Sequence, residues 1–273
     1  MRKYILRFLS LILILCVPAV NIYSLYTESD AVSDSSELDL SLLEELDGFS
    51  LSAVKKHIDV LQEEKRIEEE KKKKEEERLQ FYKNFMNELN KGEITFRGLF
   101  ADVLIVGDSL MEALAMSDVL DSANIISQVS ASLFHLEENL DRIVANNPEK
   151  LVLHYGINML EENDDQLNWY ISMYEELLIE IKERLPDTKI YISGIFMILE
   201  DGKFHRNWIE KYNSELVKLC EKNGVYYLDN SELLPGDGSY YGTDGIHLQK
   251  SFYREKWLPH LYLFMEYSSE LNK

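Results

Sequence analysis

The sequence predicts an α/β domain built on a five-stranded parallel sheet with helices on both faces, preceded by an N-terminal transmembrane helix and a charged helical spacer. Three observations predict it. Between residues 94 and 273, five short apolar runs alternate with segments of helical periodicity. Strands that are apolar on both sides belong to parallel sheets covered on both faces. Residues 62–78 hold fifteen charged residues in seventeen, whereas residues 8–26 hold none. The expected organisation is an anchor at 1–26, an acidic tether and helical spacer at 27–93, and one globular domain at 94–273.

Arg2, Lys3 and Arg7 precede the nineteen uncharged residues Phe8–Tyr26, about enough to span a hydrocarbon core. Glu28, Asp30 and Asp34 follow. The positive-inside rule then puts the N-terminus in the cytoplasm and the rest of the chain outside. The rival reading is a cleaved signal peptide with Phe8–Val17 as its apolar core. No clear small-residue cleavage site follows, and Tyr23, Leu25 and Tyr26 prolong the apolar run, which favours an uncleaved single-pass anchor in the cell membrane. Leu15 stands before Cys16 where lipoprotein processing needs a small residue, which argues against a lipid anchor.

Residues 27–50 are rich in Ser, Asp and Glu and read as a flexible tether. Leu51, Val54, Ile58 and Leu61 then fall at helical spacing. From Gln62 to Arg78 there are eight acids and seven bases, with Glu68–Lys72, Glu69–Lys73 and Glu70–Lys74 as i,i+4 pairs. The apolar stripe resumes at Leu79, Phe85, Met86 and Leu89, so one helix of up to about 40 residues is expected. Only Ile67 is apolar between 62 and 78. The heptad pattern of a coiled-coil dimer is not sustained there, and a solvated single helix is the favoured reading.

In the domain, Asp102–Val106 is the first strand and residues 110–120 have helical periodicity. Asn124–Val129 is the second strand. Leu133–Val144 follows as one helix with Leu133, Leu136, Leu140, Ile143 and Val144 on a face. Leu151–Tyr155 is the third strand, and Leu167–Leu185 a long helix stopped by Pro186, with Trp169, Tyr170 and Tyr174 packing. Ile190–Phe196 is the fourth strand, Trp208–Lys222 a helix ended by Asn223-Gly224, and Val225–Leu228 the fifth strand. A terminal helix runs from about Leu248 to Leu271, broken near Pro259.

The net charge is −20. The part after residue 99 carries 14 Lys+Arg and 30 Asp+Glu, so the globular part is the acidic part. Nucleic acid is excluded as a partner, because counterion release needs clustered cations. Docking of the domain on anionic lipid is disfavoured for the same reason. Cys16 and Cys220 make no disulfide framework. His135, His205 and His260 lack ligand spacing, so no metal or cofactor is expected, and His154 reads as a satisfied core or rim histidine.

In parallel sheets the site lies at the carboxyl ends of the strands. The first strand ends in Gly107-Asp108-Ser109-Leu110. A serine there, opening a helix, has an exposed Oγ and an N–H able to meet an oxyanion. Asp108 beside it is expected to hold the loop. The third strand ends in Tyr155-Gly156-Ile157-Asn158, where the Asn amide can donate to developing charge. After the fifth strand comes Gly242-Thr243-Asp244-Gly245-Ile246-His247. That spacing lets Asp244 face His247, as the base of a serine nucleophile requires. Tyr240 and Tyr241 precede this pair. Tyr241, with Arg206 (and Asn207) after the fourth strand, is a candidate substrate contact.

The set DVLIVGDSL, LHYGIN, IEKYNSELVKLCEKNGVYYLD and YYGTDGIHLQKSFY resembles the SGNH (GDSL) hydrolase family over about residues 101–265. The resemblance implies a three-layer α/β/α flavodoxin-like sandwich with strand order 2-1-3-4-5 and a shallow, open site. It implies ester hydrolysis or acyl transfer through an acyl-serine, with Ser109 as nucleophile, His247 as base and Asp244 as its orienter. It also implies oxyanion donors at Ser109, Asn158 and either Ser130 or Ala131. Two blocks depart from the family. The second reads Gln128-Val129-Ser130-Ala131-Ser132, with no glycine, so a left-handed backbone there would be strained. Met159 stands after Asn158 where the family has Asp.

Three functions follow. The first is an extracytoplasmic esterase of small acyl, above all acetyl, esters. The second is an O-acyltransferase moving acetyl onto cell-envelope glycans, served by a multi-pass membrane acyl donor. The third is a catalytically weak binding or scaffold module. The expected partners are an acyl ester, in particular an acetylated cell-envelope polysaccharide, and the membrane through the N-terminal helix.

Overall fold

The computed structural model describes residues 51–200 and 205–271. The expected membrane segment and acidic tether lie outside the described residues. Among those described, no helix is long and apolar enough to cross a membrane. The chain divides into a unit up to Lys74 and a unit from Glu75 onward.

The charged segment is helical throughout, as the 41-residue helix α1 (Leu51–Lys91). In the first unit its side chains pair locally, Arg66 with Glu63 at 2.6 Å and Lys65 with Glu69 at 3.7 Å. Such exposed pairs contribute only tenths of a kcal/mol each. In the second unit the resumed apolar stripe is buried. Phe85 is 4% exposed and stacks on Tyr262 at 4.9 Å, while Phe81 meets Tyr267 edge-on. The boundary expected at residue 94 therefore falls inside the packed unit, which takes in the end of α1.

The sheet has five parallel strands in the order β2-β1-β3-β4-β5: β1 (Val103–Gly107), β2 (Ile125–Ser127), β3 (Lys150–His154), β4 (Lys189–Ser193) and β5 (Tyr226–Leu228). This is the expected order. Every residue of β1 is buried, which is why it reads as an unbroken apolar run rather than an alternating one. After α2 (Phe96–Leu99), the intervening helices are α3 (Ser109–Ala115), α4 (Leu133–Glu138), α5 (Leu140–Asn146), α6 (Asp164–Arg184) and α7 (Arg206–Asn223). The reversal of strand order at β1, with right-handed crossovers, puts α3 on one face and α4–α7 on the other. The crevice for a site opens between β1 and its neighbours at their carboxyl ends.

Several expectations differ, and the second and fourth strands and the helix after the first strand end earlier than expected, at Ser127, Ser193 and Ala115. The helix over Leu133–Val144 is two helices, because Asn139 interrupts it: its Nδ2 donates to His135 O at 2.9 Å, and such side chains compete for backbone groups. Leu133, Leu136, Leu140 and Ile143 still form one buried face. The terminal helix does not break at Pro259. It begins as α8 (Lys250–Phe252), widens into a π-turn (Tyr253–Trp257) in which Leu258 N–H reaches Tyr253 O, and continues as α9 (Leu258–Leu271). The wider turn comes just before the residue that has no N–H to give. Trp169 is 43% exposed whereas Tyr170 and Tyr174 are fully buried. The buried positions of α6 are Leu167, Tyr170, Tyr174, Leu177, Leu178 and Ile181, and 169 falls off that stripe.

Gly107 ends β1 under tight constraint. A Cβ there would lie 2.5 Å from Met111 Cγ and 2.7 Å from the backbone oxygen of His154 on β3. The chain needs this approach to turn α3 back over the sheet. Gly107→Ala is expected to lower stability by about 1–3 kcal/mol, the usual cost of overpacking. Urea denaturation followed by circular dichroism measures it.

Candidate active site

The candidate side chains are placed by the ends of β1 and β3 and by a loop beyond β5. Asp108 follows β1 with an extended backbone and caps α3, its Oδ1 accepting from Leu110 N–H at 2.9 Å. Ser109 is therefore the first helical residue. Its N–H is among the first-turn donors that have no acceptor within the helix. Two contacts hold α3 from outside: Tyr253 Oη donates to Leu110 O at 2.6 Å, and Ser127 Oγ donates to Glu112 at 2.7 Å. Neither was legible in the sequence.

Asp244 and His247 sit in a tight loop after β5. Gly242 N–H donates to His247 O at 2.7 Å, Gln249 N–H donates to Tyr240 O at 2.8 Å, and Tyr241 bridges Leu248. Gly245 turns the chain with φ +68°, a conformation that favours glycine. Asp244 Oδ1 accepts from the backbone N–H groups of Ile246 and His247, both at 3.0 Å, and Oδ2 lies 2.5 Å from His247 Nδ1. Partial burial pushes the Asp244 carboxyl up. The His247 ring and the two backbone N–H groups outweigh it and bring it down to about 2. An ionised carboxylate can only accept, so Nδ1 carries the proton. Nε2 is left facing Ser109 Oγ at 3.1 Å. The sequence places these two side chains 138 residues apart; the fold lines up hydroxyl, imidazole and carboxylate in one hydrogen-bonded chain.

On the other side of Ser109, the loops after β2 and β3 meet. Gln128 N–H continues the β1–β2 ladder to Gly107 O at 3.4 Å. Asn158 Nδ2 donates one hydrogen to Ala131 O at 2.9 Å, leaving a second on the same amide. Ala131 N–H closes a turn onto Gln128 O at 3.2 Å. Among the described residues, the Ser130 N–H has no such acceptor. Ser130 has φ +58°, so the strain expected from the missing glycine falls on this residue. Ser130→Gly is expected to raise stability by about 0.5–1 kcal/mol. That is the left-handed penalty of an L-residue less the extra unfolded-state freedom of glycine. A shift of the urea midpoint at unchanged slope measures it. Met159 is buried, and its Sδ accepts from Leu133 N–H at 3.2 Å. It thereby serves the start of α4.

Tyr241 and Arg206 come together, but not at the hydroxyl. They line a cleft of about 430 Å³ with Glu210, Asn213, Asp229 and Glu232, and the cleft includes none of Ser109, Asp244 or His247. Tyr241 is buried and its Oη donates to Met197 O at 2.8 Å, so it ties the Asp244/His247 loop to the segment after β4. His154 is buried, with Nδ1 3.1 Å from Ser193 Oγ. Burial drives its pKa down to about 3, so it stays neutral.

The family model of the GDSL-like lipases and acylhydrolases matches residues 106–255. The chain belongs to the GDSL-like lipase/acylhydrolase family. The matched stretch runs from the end of β1 through the Asp244/His247 loop. A GDSL-like lipase from Bacteroides thetaiotaomicron is similar at 12% identity, over 70% of this chain and 98% of that one, with a TM-score of 0.46. A catalytic mutant of an acetylxylan esterase from Geobacillus stearothermophilus is similar at 12% identity, over 60% and 92%, with a TM-score of 0.43. No curated protein matches the chain.

Proposed function

We propose that this GDSL-family protein is an extracytoplasmic serine esterase that cleaves small acyl esters through an acyl-Ser109 intermediate. The observation that carries the reading is the relay Ser109 Oγ–His247 Nε2 at 3.1 Å and His247 Nδ1–Asp244 Oδ2 at 2.5 Å. Ser109 Oγ attacks the ester carbonyl carbon as His247 takes its proton. Asp244 holds the imidazole in the accepting tautomer and stabilises the imidazolium. The tetrahedral oxyanion meets the Ser109 N–H, the second Nδ2 hydrogen of Asn158 and the Ser130 N–H. His247 returns the proton to the leaving alcohol. Water then attacks the acyl-serine with His247 again as base, which releases the acid and restores Ser109.

A second acceptor is favoured by one feature. The His247 and Asp244 side chains are 51% and 47% exposed, so a sugar hydroxyl can reach Nε2 as water can. With a glycan in place of water, the same acyl-serine yields O-acyl transfer. An acetylated cell-envelope polysaccharide fits both readings, as does a membrane anchor at residues 1–26 with the catalytic domain outside. The test incubates the full-length protein with p-nitrophenyl acetate and longer esters, with and without a free glycan acceptor. Turnover in water alone supports the esterase, and turnover that requires the glycan supports transfer. A folded protein inert under both conditions refutes both. Protease added to intact cells is expected to release the domain; protection until lysis would refute the outside location.

A further inference from the structure

Directly behind the nucleophile lies a carboxyl that the proposed reaction does not use. Asp108 is completely buried. Its Oδ1 caps α3, but its Oδ2 has no hydrogen-bond partner. Four tyrosines lie within reach of its charge: Tyr155 after β3, Tyr170 and Tyr174 on α6, and Tyr253 at the π-turn. None of their hydroxyls serves it. That of Tyr155 is 2.8 Å from His135 Nδ1, that of Tyr170 donates to Tyr155 O at 2.9 Å, and that of Tyr253 donates to Leu110 O. Tyr174 Oη is itself buried and unpartnered. Asp108 directly precedes Ser109, whose Oγ faces His247 Nε2 at 3.1 Å, so the unpartnered oxygen belongs to the residue next to that pair.

A capping role accounts for Oδ1 alone, and Asn or Ser caps a helix about as well. It does not account for an ionisable oxygen left without a donor on the residue next to the nucleophile. We propose that Asp108 is a second, positioning carboxylate of the active site, whose charge acts through the protein on His247 and stabilises the imidazolium formed when Ser109 gives up its proton. This rests on the Ser109–His247 reading above. It gives His247 two carboxylates, Asp244 in contact and Asp108 fully buried, where Coulomb interaction is less screened than in water.

Burial pushes the Asp108 carboxyl up to about 7, against the pull of the Leu110 N–H and of His247. The folded value is thus raised above an unfolded value of about 3.9. Between the two, the folded chain holds a proton that the unfolded chain has lost, so stability falls as pH rises from about 4 to 7. Catalysis gains as pH rises through about 7, where the charge appears in the folded chain.

The test compares wild type with Asp108→Asn, which keeps the cap and the shape and removes the charge. Both are full-length. The denaturation midpoints are expected to agree near pH 4 and to diverge up to pH 7, with the variant the more stable. The rate of Ser109 labelling by a fluorophosphonate, followed from pH 5 to 9, is expected to show two ionisations in the acid limb of wild type. The variant shows one, and a plateau about tenfold lower, the effect of one pKa unit on the base. Superimposable profiles, or a faster variant, overturn the proposal while leaving the esterase reading intact. No labelling of wild type at any pH overturns both. Should the variant fail to fold, a single ionisation in the wild-type acid limb overturns it.

Discussion

Replacing Ser109 with alanine abolishes fluorophosphonate labelling and lowers kcat by a factor on the order of 10⁶, the loss found when a triad nucleophile is removed. The expectation rests on position. Ser109 Oγ is the one atom of this site that stands both 3.1 Å from His247 Nε2 and on the residue whose own N–H opens α3. No neighbour can replace it: Asp108 is buried beneath, and Leu110 is in the core. The change removes one oxygen from a half-buried position, so stability shifts by no more than about 1 kcal/mol. Intact-protein mass spectrometry after labelling and a steady-state assay on an acetyl ester, with circular dichroism as a folding control, make the measurement. Equal labelling of the two proteins would sink the assignment.

Replacing Asn158 with alanine lowers kcat by about 10²–10³ and leaves KM nearly unchanged. A donor aimed at an oxyanion acts only as charge develops, and losing one costs about 2.7–4 kcal/mol of transition-state stabilisation. The amide does two things here. One Nδ2 hydrogen ties the loop after β3 to Ala131 O, and the other is available to the oxyanion. With Ala131 N–H engaged on Gln128, fewer backbone donors are free on that side, so Asn158 carries more of the work. Steady-state kinetics on a single acetyl ester read the split. A folded variant with wild-type kcat would mean that the oxyanion is met elsewhere.

The strands and the side chains that the structure brings together at Ser109 were legible because both are local signals. Val103–Val106, Leu151–Leu153 and Ile190–Ile192 are apolar on both faces, so each announces a strand without help from its neighbours. Gly107-Asp108-Ser109 and Asp244-Gly245-Ile246-His247 announce their chemistry by spacing, and the missing glycine at Ser130-Ala131 announced a strained turn that the structure places at Ser130. The failures have local causes as well. Helical periodicity over Leu133–Val144 is genuine, yet one side-chain amide at Asn139 divides it. Trp169 precedes two helical neighbours that pack, Tyr170 and Tyr174, but lies off their stripe. Tyr241 is near the catalytic pair in sequence, yet its hydroxyl serves Met197 O.

By itself the sequence determined where charge is concentrated, which runs are strands, and which side chains have the chemistry of a serine esterase. These follow from short-range rules of burial pattern, backbone preference and residue type. Only the tertiary structure decided the rest. It set Ser109 against His247 across 138 residues and Tyr253 against Leu110 across 143, and it packed the end of the charged helix against Tyr262. It also buried Asp108 with an oxygen unpaired. No local rule states these distances or that burial, because the environment of a carboxyl depends on every element packed around it, and its ionisation follows from that environment rather than from its neighbours in the chain.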